Sequence, residues 1–107
     1  MTIFEVGSWV VKTGGQDEFM KVWKRFLKYI KENPKMFKEA KSVRLFTQTF
    51  GGISDAYVEL VEYDSLANYE KFNKRIRKDE KFVKMYQEFL ALIEPISVSS
   101  QVWTLVQ

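Results

Sequence analysis

The sequence predicts an α+β sandwich, a four-stranded antiparallel sheet with helices packed on one of its faces. Three observations predict it. Apolar residues alternate with period two in four short segments, and they recur at helical spacing in two longer regions. The order along the chain is strand, helix, strand, strand, helix, strand. The strands are apolar or aromatic on both sides, so something besides the helices is expected to cover the second side.

The first strand alternates from Ile3 to Val11 and stops at the flexible turn Lys12-Thr13-Gly14-Gly15. Asp17 and Glu18 place negative charge where a helix begins. Phe19, Val22, Trp23, Phe26, Leu27 and Ile30 form the buried stripe of that helix, and Asn33-Pro34 ends it. Residues 34–41 read as a short extra turn with Met36 and Phe37 tucked inward. A second strand runs from about Ser42 to Phe50 and a third from about Asp55 to Tyr63. The glycines Gly51 and Gly52, with Ser54 and Asp55, join them as a hairpin. Asp64 or Ser65 caps the next helix, whose stripe is Leu66, Tyr69, Phe72 and Ile76. A basic stretch interrupts it, and Asp79 caps a continuation carrying Phe82, Val83, Tyr86, Phe89, Leu90 and Ile93. Pro95 ends this helix, and the last strand runs from about Ser97 to Val106.

With right-handed crossovers this βαββαβ order gives a ferredoxin-like sandwich. Residues 1–107 read as one domain without repeats or internal linkers. Hydrophobic residues make up 46% and charged residues 29%, the profile of a globular chain. No apolar run is long enough to span a bilayer and no signal peptide is visible, so the cytoplasm is the default compartment. The Lys- and Glu-rich surface also suits a thermophile's protein.

The chain has no histidine and no cysteine. That removes Ser-His-Asp and Cys-His nucleophilic systems, zinc sites built on those ligands, and haem held by a proximal histidine. Catalysis must then use carboxylates, lysine, tyrosine or the substrate's own reactivity, and no metal or other cofactor is expected. The 17 basic and 14 acidic residues leave a net charge of +3, little for a nucleic-acid protein. The run Lys71, Lys74, Arg75, Arg77, Lys78, Lys81 and Lys84 reads as a solvated helix face, partly balanced by Glu70, Asp79, Glu80 and Glu88.

Parity sorts the strand residues into two faces. The aliphatic set Phe4, Val6, Val10, Val43, Leu45, Val58, Leu60, Val98, Val102 and Val106 is expected beneath the helices. The mixed set includes Glu5, Trp9, Arg44, Phe46, Tyr57, Glu59 and Trp103, and is expected to pack against a second copy of the chain. In it, Arg44 between Glu5 and Glu59 would bind an anion, tune a carboxylate as a base, or simply form an ion-pair network fixing register.

The stretch Phe50 to Phe82, FGGISDAYVELVEYDSLANYEKFNKRIRKDEKF, resembles the NIPSNAP-like branch of the dimeric α+β barrel superfamily. The shared elements are the glycine loop, a hydrophobic strand ending at Tyr63, the helix start Ser65-Leu66-Ala67, and the Asp79 to Phe82 segment. The opening strand, glycine turn and Phe19/Trp23 helix are similar to the family's first unit. One departure lies at Leu60-Val61-Glu62, where relatives often carry histidine or tryptophan. The resemblance implies two sheets packed face to face in a homodimeric barrel, with ligands between sheet and helices. Relatives include cofactor-free oxygenases, haem-degrading enzymes, lactone isomerases and proteins of unknown role. The missing histidine argues against haem degradation.

At that implied location, Ser8, Thr47, Thr49, Ser100 and Thr104 interrupt an aliphatic surface opposite Trp23, Tyr69 and Tyr86. Ser8, Trp23, Thr47, Tyr69 and Tyr86 are thus the candidate ligand residues, with ordinary packing as the alternative. Two functions remain: binding a small apolar or aromatic ligand or serving in assembly, and cofactor-independent oxygenation or isomerisation of an aromatic substrate.

Overall fold

The computed structural model describes residues 1–52 and 55–107. The strands are β1 (Ile3–Val10), β2 (Ser42–Thr47), β3 (Ala56–Tyr63) and β4 (Ser99–Thr104). The helices are α1 (Gln16–Glu32), α2 (Leu66–Ile76) and α3 (Glu80–Leu90), and one 3-10 turn occupies Pro95–Ser97. The strands pair antiparallel in the order β2-β3-β1-β4, the ferredoxin-like topology expected.

Local chemistry accounts for the element boundaries. Ser65 Oγ accepts the Asn68 N–H at 3.1 Å to start α2, and Asp79 Oδ2 accepts the Phe82 N–H at 3.1 Å to start α3. The Tyr29 hydroxyl donates to the same Asp79 carboxylate at 2.5 Å, tying α1 to the start of α3. Between β2 and β3, Gly51 and Gly52 have φ of 74° and 57°, which favours residues without a Cβ. Ser54 of the expected hairpin lies outside the described residues. β2 stops at Thr47 rather than Phe50. β4 begins at Ser99, because the turn at Pro95–Ser97 intervenes and turns Ser97 Oγ toward the Val10 N–H at 2.9 Å.

Phe37 is buried in the segment after α1, with Met36 packed at its edge, as the turn reading requires. Arg75 pins that segment to α2 by donating to the Met36 carbonyl at 2.7 Å and to both Glu39 carboxylate oxygens.

The faces of β1 and β3 are the reverse of the expectation. Ile3, Val61 and Tyr63 pack with Tyr29, Phe37 and Phe72, so they face the helices. Trp9 packs on Phe19 and Phe89 and does the same. By alternation Phe4, Val6, Ser8, Val58 and Leu60 point to the open side. β2 keeps its expected orientation, with Val43 and Leu45 inward and Arg44 and Phe46 outward. Volume explains the reversal. At the two ends of the central strands, the layer between a twisted sheet and its helices is occupied here by interlocking aromatic rings, which reach further than short aliphatic side chains.

Candidate functional site

The inward residues form two clusters at opposite ends of the central strands. One gathers Ile3, Tyr29, Phe37, Val61, Tyr63, Phe72, Ile76 and Met85. The other gathers Trp9, Val11, Phe19 and Ile93, with Tyr57 and Phe89 against it. Between them β1 offers Glu5 and Gly7, and β3 offers Glu59. Gly7 pairs directly with Glu59 and contributes no side chain. A cavity of about 500 Å³ opens at this gap. Trp23 and Phe26 of α1, Tyr69 of α2, Tyr86 and Phe89 of α3, and Ser100 of β4 complete its wall.

The site is electrostatically unusual. Glu5 and Glu59 lie diagonally on neighbouring strands of the same face. Burial pushes Glu59 up from 4.5 to about 7, and the nearby Glu5 charge adds to the effect. Burial also raises Glu5, against the pull of the Tyr69 hydroxyl, which donates to Glu5 Oε2 at 3.1 Å. Tyr63 is pushed far up by burial, then by the charges of Glu5 and Glu59. Glu59 thus combines partial burial, access to the cavity and a proton affinity near neutrality, the properties of a general base. Trp9 Nε1 is a further buried donor without a partner among the described residues.

Three of the five expected ligand residues, Trp23, Tyr69 and Tyr86, line this cavity. Ser8 does not, since it points to the open side, and Thr47 sits on the exposed end of β2. Of the residues expected at the dimer interface, Arg44, Phe46 and Trp103 are on the open side. Glu5, Trp9 and Glu59 instead line the cavity, while Tyr57 packs on Phe19 with centroids 4.5 Å apart. The expected Glu5–Arg44–Glu59 network is therefore not made: Arg44 lies exposed on the opposite face of an edge strand. Gly7, Asn73 and Arg77 also line the cavity and were not anticipated. A glycine placed between Glu5 and Trp9 on an inward parity was the signal that could have found the gap.

The sequence profile of the NIPSNAP family matches residues 4–106. The chain belongs to the NIPSNAP family. Solved structures agree in fold. A NIPSNAP family protein from Agrobacterium tumefaciens is 16% identical, with a TM-score of 0.75 over 97% of this chain and 92% of that one. An uncharacterized NIPSNAP domain protein from Burkholderia xenovorans is also 16% identical, with a TM-score of 0.72 over 97% and 94%. SnoaB, a cofactor-independent oxygenase from Streptomyces nogalater, is 15% identical, with a TM-score of 0.62 over 99% and 94%. No curated protein sequence matches. Among the described residues, no helix of this NIPSNAP chain is long and apolar enough to cross a membrane.

Proposed function

We propose that this NIPSNAP protein binds a small apolar or aromatic molecule in the cavity between sheet and helices. The observation that carries the reading is the gap itself: a cavity of about 500 Å³ walled by aromatic rings, with two inward carboxylates on its floor. Concave, mostly apolar space with a few convergent polar groups is the usual form of a ligand site. The test uses Gly7→Leu, which grows a side chain into the gap. A Cβ at Gly7 would meet only Trp9 Cζ3 at 3.6 Å and the Ser99 carbonyl at 3.9 Å, so the backbone need not move. Calorimetric titration with 2-naphthol should show one site in the wild type and at least a tenfold loss in Gly7→Leu, about the effect of filling a pocket. Equal binding by a folded variant would overturn the reading.

A second reading follows from Glu59. A carboxylate with a proton affinity near neutrality can take a proton from an acidic C–H or phenolic O–H. The resulting anion could react with oxygen, the class of chemistry named for SnoaB, or be reprotonated at another atom as in an isomerase. Under this reading the wild type exchanges an acidic ligand C–H for deuterium and Glu59→Gln does not. Equal exchange by both proteins would remove Glu59 from the role.

Self-association through the open face belongs to the same proposal. Phe46 is 47% and Trp103 53% exposed on that face, and Arg44 shares it. A second copy presenting the same apolar surface would cover it. Light scattering behind size-exclusion chromatography should give a dimer mass, and Trp103→Glu should give a monomer. A wild-type monomer at low micromolar concentration would reject this part.

A further inference from the structure

Two carboxylates lie diagonally in the middle of the sheet, and among the described residues neither is in an ion pair. The ion pairs among the described residues use Lys21, Arg25, Lys41 and Arg75, and none includes Glu5 or Glu59. Glu5 receives the Tyr69 hydroxyl, whereas Glu59 receives no side-chain donor among the described residues. The ionisable groups sharing the cavity wall are Tyr63 from β3, Tyr69 from the first turn of α2, Arg77 from its C-terminal cap, and Tyr86 from α3. α1 contributes none. Arg77 is exposed at the C-terminal cap of α2, and its charge reaches Tyr69.

A buried carboxylate without a partner is costly, and the cost falls when a cation joins it. Apart from the exposed Arg77, the rest of the wall favours the same sign of charge. Trp9, Trp23, Phe26, Tyr86 and Phe89 line it, and the face of an aromatic ring attracts cations. An anionic ligand would meet two like charges on the cavity floor.

We propose that the ligand of this cavity is an organic cation, a protonated amine on an aromatic or apolar body, with its ammonium group seated against Glu59 and Glu5. This rests on the reading of the cavity as a ligand site and narrows the class of molecule that enters it. A primary ammonium group carries three N–H donors. They match the free oxygens of Glu59 and the Glu5 oxygen left over by Tyr69, while the body lies among the rings.

The test compares three molecules with one ring system: tryptamine, tryptophol and indole-3-acetate, which carry an ammonium, a hydroxyl and a carboxylate. Isothermal titration of the wild type should find tryptamine bound at least about tenfold tighter than tryptophol, the advantage of a charge-assisted contact. Indole-3-acetate should bind weakest. The preference for tryptamine should grow from about pH 5 to about pH 8, because Glu59 ionises across that range while the amine stays charged. In Glu59→Gln the preference should shrink to about twofold, and Glu5→Gln should lose part of it. Tryptophol binding as tightly as tryptamine would overturn the cation assignment and leave the ligand site standing. Failure of all three to bind would overturn both.

Discussion

Glu39 and Glu59 are both glutamates turned into the protein, and their surroundings push them in opposite directions. Glu39 is buried beside Arg75, whose guanidinium grips both of its oxygens and holds its carboxyl below the usual range. Glu59 sits beneath the helices beside a second carboxylate, and burial raises it to about 7. The first arrangement fastens the segment after α1 to α2. The second has no structural return, since an unpaired buried charge lowers stability. A cost that the fold does not recover locally is the physical ground for proposing function at the Glu59 region, in contrast to the architectural role of the Glu39 region.

The comparison can be broken most strongly by pH. Glu59 has a folded-state value above its unfolded one, so the folded protein binds more protons and stability falls as pH rises between about 4.5 and about 7. The fall should be on the order of 3 kcal/mol, at about 1.4 kcal/mol for each pH unit that separates the folded and unfolded values, with Glu5 acting in the same direction. Urea unfolding of Glu59→Gln across this range should lose most of that slope. A variant with the wild-type slope would show that Glu59 is solvated.

Arg75→Met should turn Glu39 into a second unpaired carboxylate. Its loss is about 2 kcal/mol at neutral pH, below the usual figure for a severed buried pair because the Arg75 side chain is 34% exposed. Glu39 has a depressed value in the folded state, so its contribution is present above the unfolded value and disappears as pH falls through the folded one. Wild type and variant should therefore converge in acid. A gap that stayed constant with pH would mean that Arg75 stabilises by packing and its bond to Met36 rather than by charge.

The smallest effect sharpens the boundary between the two regions. Gly7→Ala adds one methyl group beside Trp9 at ordinary contact distance, and thermal unfolding should change by about 0.5 kcal/mol or less. A loss of several times that would show the gap opposite Glu59 to be packed rather than open.

Much of the fold was legible because its signals are local. The caps at Ser65 and Asp79, the stop at Asn33-Pro34 and the glycine loop at Gly51 stand where the residues place them, whereas α3 ends at Leu90, short of the expected stop at Pro95, and Ile93 leaves the helix to bridge Val11. Trp23, Tyr69 and Tyr86 reached the cavity because helical spacing alone turns them toward the sheet. The strand residues were harder. Alternation divides Ile3 to Val11 into two sets but is symmetric between them, and both sets are apolar enough to be buried. Choosing the aliphatic set sent Glu5, Trp9, Tyr57 and Glu59 to the wrong side and gave them Arg44 as a neighbour.

The sequence by itself determined the order of elements, their approximate limits, the antiparallel sheet and the exclusion of histidine and cysteine chemistry. These depend on residues near one another in the chain, where steric and hydrogen-bonding preferences act directly. Only the tertiary structure decided which face of β1 and β3 meets the helices, and with it the pairing of Gly7 against Glu59, the cavity above them and the separation of both carboxylates from Arg44. That choice depends on the total volume of rings that three helices and a twisted sheet can enclose together, a quantity that no single segment carries.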